Sequence, residues 1–121
     1  MKREEKKKKS VALLIRALRK AGNERKEKLW KDLAERLSKP RRTLACVNIW
    51  KINRAAAKAG GKLLLVPGKV LGNGELSGKV EVAALEFSES AARKIRANGS
   101  ALSVQQLLES KRKAAEIVVV K

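Results

Sequence analysis

The side chains in this sequence best equipped for chemistry are its cations. Of 121 residues, 30 are Lys or Arg against 12 Asp or Glu, a formal net charge of +18 with no His. They are grouped. Lys6, Lys7, Lys8 and Lys9 form an unbroken run, and Lys39, Arg41 and Arg42 flank Pro40. Lys51, Arg54 and Lys58 recur at i, i+3 and i+7, which on a helix makes one stripe. Lys69 follows Pro67-Gly68. Lys and Arg neutralise phosphates and release condensed counterions, and the planar forks of adjacent arginines suit phosphate oxygens. A compact body with this much like charge repels itself, and nothing in folding demands that cost. The charge therefore points to a polyanionic partner.

Other chemistries lack their residues. Without His there is no Ser-His or Cys-His pair, so no catalytic residue and no enzymatic activity are expected. One Cys and no His put the common zinc sets out of reach, so no metal is expected. Cys46, between Ala45 and Val47, reads as a buried structural thiol, and a lone thiol suits a reducing, intracellular setting. Glu81 and Glu86 are expected to pair with neighbouring bases such as Lys79. Gly60-Gly61-Lys62 ends like a phosphate-binding loop, but Ala56 and Leu63 occupy positions that need Gly and Ser or Thr. Pro67-Gly68-Lys69 and Gly72-Asn73-Gly74 read as tight turns whose glycines could also bring backbone close to a phosphate beside Lys69. No cofactor and no small-molecule substrate follow from any of these. The apolar runs Leu63–Val66 and Ile117–Val120 are far too short to span a membrane, and no membrane partner is expected. The opening MKREEKKKKS does not read as a secretory signal.

The elements that must carry these groups can be read from periodicity and caps. Residues 1–9 read as a charged arm. Ser10 caps a helix with Val11, Leu14, Ile15 and Leu18 on one face, ended by Gly22 as a C′ residue. A second helix is expected from Asn23 or Glu24 to Leu37, stopped by Pro40. Asn48 caps a third, Ile49 to about Ala59, which Gly60-Gly61 terminates. Trp50 sits beside its basic stripe, where it could stack on a base, but it is expected partly in the core. Short strands are expected at Lys62–Val66, Lys69–Leu71, Lys79–Phe87 and Ile117–Val120. Ser88 caps a helix to about Ala97. Ser103 with Gln106 forms a capping box, flanked by Leu102 and Leu107 at staple positions, and starts a helix over Val104–Glu109. The expected fold class is mixed α/β: N-terminal helices followed by short strands alternating with helices. The expected organisation is a basic arm, 1–9, and a single domain, 10–121.

Three aromatics, Trp30, Trp50 and Phe87, are few for stacking on single strands, and no groove-reading motif is visible. Phosphate and shape recognition of a folded RNA fits better. The residues that carry that chemistry also carry a resemblance. Lys39-Pro40-Arg41-Arg42, Val47-Asn48, Lys51-Ile52-Asn53-Arg54, the run Val66–Gly72 with Gly74-Glu75-Leu76, Val82-Ala83-Ala84 and Phe87–Ala91 together resemble the archaeal and eukaryotic family of large-subunit ribosomal protein eighteen. That family is related in its core to bacterial large-subunit protein fifteen. The resemblance implies an irregular stack of strand-strand-helix turns, no catalysis and no cofactor. It implies a structural constituent of the large ribosomal subunit in the cytoplasm, bound to large-subunit ribosomal RNA and to neighbouring ribosomal proteins. Its RNA contacts would fall on Lys39, Arg41, Arg42, Lys51, Arg54 and Lys69, with Lys58 and Lys6–Lys9 added on grounds of charge. The competing expectation is a free-standing basic DNA-binding or architectural protein.

Overall fold

The computed structural model describes residues 2–40, 44–110 and 112–121. The chain divides into two compact units, 1–44 and 45–121.

The first unit is a pair of helices, α1 (Lys2–Arg25) and α2 (Lys28–Ser38), packed on each other. α2 buries Trp30, Leu33, Ala34 and Leu37, the i, i+3, i+4, i+7 face that its sequence predicts. Three boundaries differ from expectation, the first being that α2 starts at Lys28 rather than Asn23 or Glu24, which α1 takes up. α1 starts at Lys2 rather than Ser10, so residues 2–9 continue the helix. It also runs through Gly22 to Arg25. Gly22 is not a left-handed stop: a Cβ there would lie 2.7 Å from Lys31 Cγ, so the missing side chain lets α2 approach. The chain turns instead at Lys26, whose φ of 55° is the left-handed conformation Gly22 was expected to supply. After the turn, Trp30 Nε1 donates to Glu27 Oε1 at 2.8 Å, and the Arg25 guanidinium lies 5.4 Å from the Trp30 ring centroid.

The second unit is a five-stranded, wholly parallel sheet with helices on both faces. Its elements are β1 (Ala45–Asn48), α3 (Ile49–Ala59), β2 (Leu63–Leu71), β3 (Val80–Phe87), α4 (Glu89–Asn98), β4 (Gly99–Ser103), α5 (Val104–Glu109), a 3₁₀ turn (Ala114–Glu116) and β5 (Ile117–Val119). The order is β1-β2-β3-β4. β3 takes one edge of β2, while β1 and β5 share the other, β5 along Leu63–Leu65 and β1 along Gly68–Leu71. One face of the sheet carries Val47, Leu64, Val66, Val70, Val82 and Ala84, which pack with Ile49 and Ile52 of α3 and Ala91 and Ile95 of α4. Leu65, paired with Ala83 and Val119, is buried on the other face, and α5 lies against β3 and β4. A strand covered on both sides must be apolar throughout, which is why Leu63–Val66 is an unbroken apolar run rather than an alternating one.

The two short pieces expected around Pro67-Gly68 are one strand. β2 passes through both residues, and the register with β3 slips between Val66 and Lys69 so that β2 carries one extra residue. The slip leaves Pro67, which has no N–H, outside the ladder. Gly68 is not a turn glycine: a Cβ there would overlap the backbone of Ala45, so only glycine lets β1 pair at that point.

The starts of α3, α4 and α5 fall where the sequence puts them. Asn48 and Gly60 bound α3, with Gly60 left-handed at φ 61°, but the Asn48 side chain makes no capping hydrogen bond, and the Trp50 N–H goes to the Asn73 carbonyl instead. Ser88 Oγ accepts from Ala91 N at 3.2 Å at the start of α4, and the box between Ser103 and Gln106 closes both of its hydrogen bonds at α5.

Candidate nucleic-acid interface

α3 offers the most regular array of cations. Its buried side is Ile49, Ile52 and Ala59, and that burial fixes the rotation of the helix. Lys51, Arg54 and Lys58 are then forced outward, and all three are exposed. The helix contains no Asp or Glu, so no acid one turn away neutralises the stripe. Lys51 Nζ also donates to the backbone carbonyl of Lys121.

The other expected contact residues fall elsewhere. Lys69 is exposed near the C-terminal end of β2, while Val70 beside it packs with the α3 cluster, so the alternation of the strand turns Lys69 away from the α3 stripe. Lys69 is in register with Cys46 on β1 and Glu86 on β3. Lys39 is exposed at the C-cap of α2, in the first unit, with its N–H on the Arg36 carbonyl. Lys6, Lys7, Lys8 and Lys9 belong to the early turns of α1, and their side chains lie outside the described part. Arg41 and Arg42 lie outside the described residues.

Two expectations about single side chains are overturned. Cys46 is exposed: Val47 takes the buried side of β1, and a strand sends its neighbour to the opposite face. Trp50 is 47% exposed rather than partly in the core, because Ile49 and Ile52 occupy the inward positions around it.

The fold also sorts bases that charge alone could not. Lys94 donates to the carbonyls of Gly72 (2.8 Å) and Gly74 (2.7 Å) and meets Glu75 Oε1 at 3.4 Å, so it closes the β2–β3 loop and belongs to the scaffold. Arg112 pairs with Glu81. Sequence reasoning did not place Lys62 and Lys79 together, yet both line a cleft of about 360 Å³ at the starts of β2, β3 and β4 with Gly61, Gly99 and Ser100. It passed over Arg93 and Arg96, exposed on α4 beside a cleft of about 420 Å³. Their i, i+3 spacing, off the Ala91–Ile95 face, was the available signal for that pair. Among the described residues no group of three His, Cys, Asp or Glu converges as a metal site would require, and no helix is long and apolar enough to cross a membrane.

A small parallel sheet with an outward cationic helix suits polyanion binding, and the described residues bring together no catalytic constellation. Comparison with known proteins gives the family. The chain is 44% identical over 109 residues to the large ribosomal subunit protein eL18 of Methanoregula boonei, covering 89% of this chain and 88% of that one. It is 45% identical over 106 residues to the protein of that name from Methanospirillum hungatei (87% and 86% covered), and 47% identical over 97 residues to that of Methanothermobacter thermautotrophicus (79% and 78%). The family described as ribosomal proteins 50S-L15 and 50S-L18e, together with their 60S counterpart, matches residues 27–103, a span that takes in α2, the α3 stripe and the sheet through β4. The chain belongs to that family of large-subunit ribosomal proteins, not to a family of enzymes.

Proposed function

We propose that the chain is a structural constituent of the large ribosomal subunit, in the cytoplasm, that binds large-subunit ribosomal RNA through its phosphate backbone and stabilises the RNA's tertiary fold. The observation that carries this is the α3 stripe: three cations projected to solvent by a helix whose other side is locked into the core. Phosphate contacts of this kind position a protein on folded RNA without reading bases. Arg41, Arg42 and Lys39 form a second contact in this proposal, Lys6–Lys9 a third, and Lys69 a fourth on the opposite side of the sheet from α3. The RNA-binding domain is taken as residues 10–121, with 1–9 as its basic extension, and neighbouring ribosomal proteins share the surroundings. Charge neutralisation where RNA strands approach each other is the mechanism.

Sedimentation of a cell lysate tests it. The chain should travel with the large subunit and shift to the top of the gradient after RNase treatment. Migration as a free protein in both gradients would refute the assignment and favour the DNA-binding alternative.

A further inference from the structure

Trp50 is an exposed indole on a backbone with little freedom. Its N–H donates to the Asn73 carbonyl at 3.0 Å. The Gly74 backbone, at φ 118°, lies directly against the backbone of Trp50, so close that a Cβ on Gly74 would sit 2.8 Å from Trp50 Cα. That loop is itself held: Lys94 binds the Gly72 and Gly74 carbonyls, and Asn53 Oδ1 accepts from both the N–H and the hydroxyl of Ser77 at 3.0 Å. The indole is therefore left with its own two side-chain torsions and roughly half its surface in water. Trp30 and Phe87 are buried or half-buried, so Trp50 is the one strongly exposed aromatic among the described residues. A cation is its neighbour on the helix surface: Arg54 lies one turn on at i+4, about 6 Å away between Cβ atoms.

From this juxtaposition we propose that Trp50 is a stacking platform for one unpaired nucleobase of the RNA, with Arg54 taking a phosphate of the same or the adjacent nucleotide. A ring held by its backbone costs little ordering entropy on binding, and every base offers a π face, so the contact adds affinity without demanding a sequence. The cation beside it supplies attraction for the strand that bears the base. The proposal rests on RNA binding as such and refines how one contact is made.

The test uses the full chain and two single-stranded RNA probes of about ten nucleotides, oligoadenylate and an abasic oligomer of equal length and charge, at low salt. Oligoadenylate should quench the exposed part of the indole emission, while the abasic strand binds without quenching. The buried Trp30 serves as an internal reference. Trp50→Leu should weaken oligoadenylate binding by about 5- to 150-fold and leave abasic binding and its salt dependence unchanged. Trp50→Phe should restore much of the difference, and the melting temperatures of all three proteins should agree, since the side chain lies outside the core. Equal affinity of wild type and Trp50→Leu for oligoadenylate, or equal quenching by both strands, overturns the stacking proposal and leaves phosphate binding standing. Failure of both strands to bind while purified large-subunit ribosomal RNA still binds overturns the stacking proposal alone, and failure of that RNA to bind as well overturns RNA binding itself.

Discussion

Replacing Arg54 and Lys58 together by Ala isolates the electrostatic part of the proposed interface. Both side chains are exposed on the outer face of α3, and the buried positions Ile49, Ile52 and Ala59 are untouched. Ala is at least as good a helix former as either, so the fold should survive with an unchanged or slightly higher melting temperature. Lys51 is left in place because its ammonium also engages the Lys121 carbonyl. If each removed cation gave up one phosphate, the slope of log K against log salt would fall by about 1.8 on duplex RNA and about 1.4 on single strands. Between 50 and 200 mM salt the wild-type affinity would then drop about 7- to 12-fold more than that of the variant. Filter binding to purified large-subunit ribosomal RNA over a salt series measures both slopes. Parallel lines for the two proteins would remove the α3 stripe from the interface, whatever the absolute affinities.

Three further outcomes test the scaffold. Lys94→Met removes the donor to Gly72, Gly74 and Glu75; with the side chain one-third exposed, the loss should be about 2 kcal/mol in denaturant unfolding, with faster hydrogen exchange across the β2–β3 loop. No change in either would mean that the loop holds its own shape. Gly68→Ala drives a methyl group into the Ala45 backbone and should cost about 3 kcal/mol or more as β1 is displaced; a chain that melts like wild type would contradict the β1–β2 pairing. Cys46 should react with a thiol reagent in the folded protein at a rate close to that in denaturant, whereas a slow reaction limited by unfolding would place it in the core after all.

What could be read from the sequence was what neighbours in the chain decide. Ser88, Ser103 with Gln106, and Asn48 with Gly60 are local signals, and α4, α5 and α3 begin and end close to where those residues put them. The stripe on α3 followed from period alone, because its apolar and basic positions never coincide. Most of the failures concern packing that a single stretch of sequence does not show. Gly22 looks like a helix stop until α2 is seen lying against it, and Lys26, with no glycine signature, makes the turn instead. Pro67-Gly68 looks like a turn until β1 and β3 are seen pairing on either side. Cys46 and Trp50 are apolar enough to be placed inside, yet Val47 and the pair Ile49 and Ile52 already fill the inward positions of β1 and α3. Of the basic clusters, only the α3 stripe has its geometry fixed by local pattern. Lys69 could be placed only once its strand neighbours were known.

Charge alone does not say which cations face a partner; their commitments within the fold do. Arg25 lies over an indole, Lys94 on two carbonyls and a carboxylate, and Arg112 on Glu81. Those groups already hold partners within the protein, and recruiting them to RNA would forfeit the contacts they make. Arg54 and Lys58 have no such commitment among the described residues, and together with Lys51 they set like charges three and four residues apart along α3, which costs an isolated helix a few tenths of a kcal/mol per pair. The buried side of α3 makes that cost bearable, because Ile49 and Ile52 anchor the helix irrespective of what its outer face carries. A phosphate between such charges turns the repulsion into attraction, and the helix holds their backbones at fixed separation, so less ordering remains to be done on binding than for the same residues in a flexible arm. The core of the second unit thus has two roles that cannot be separated by mutation of its apolar residues: it holds the sheet together, and it sets the spacing at which α3 presents positive charge.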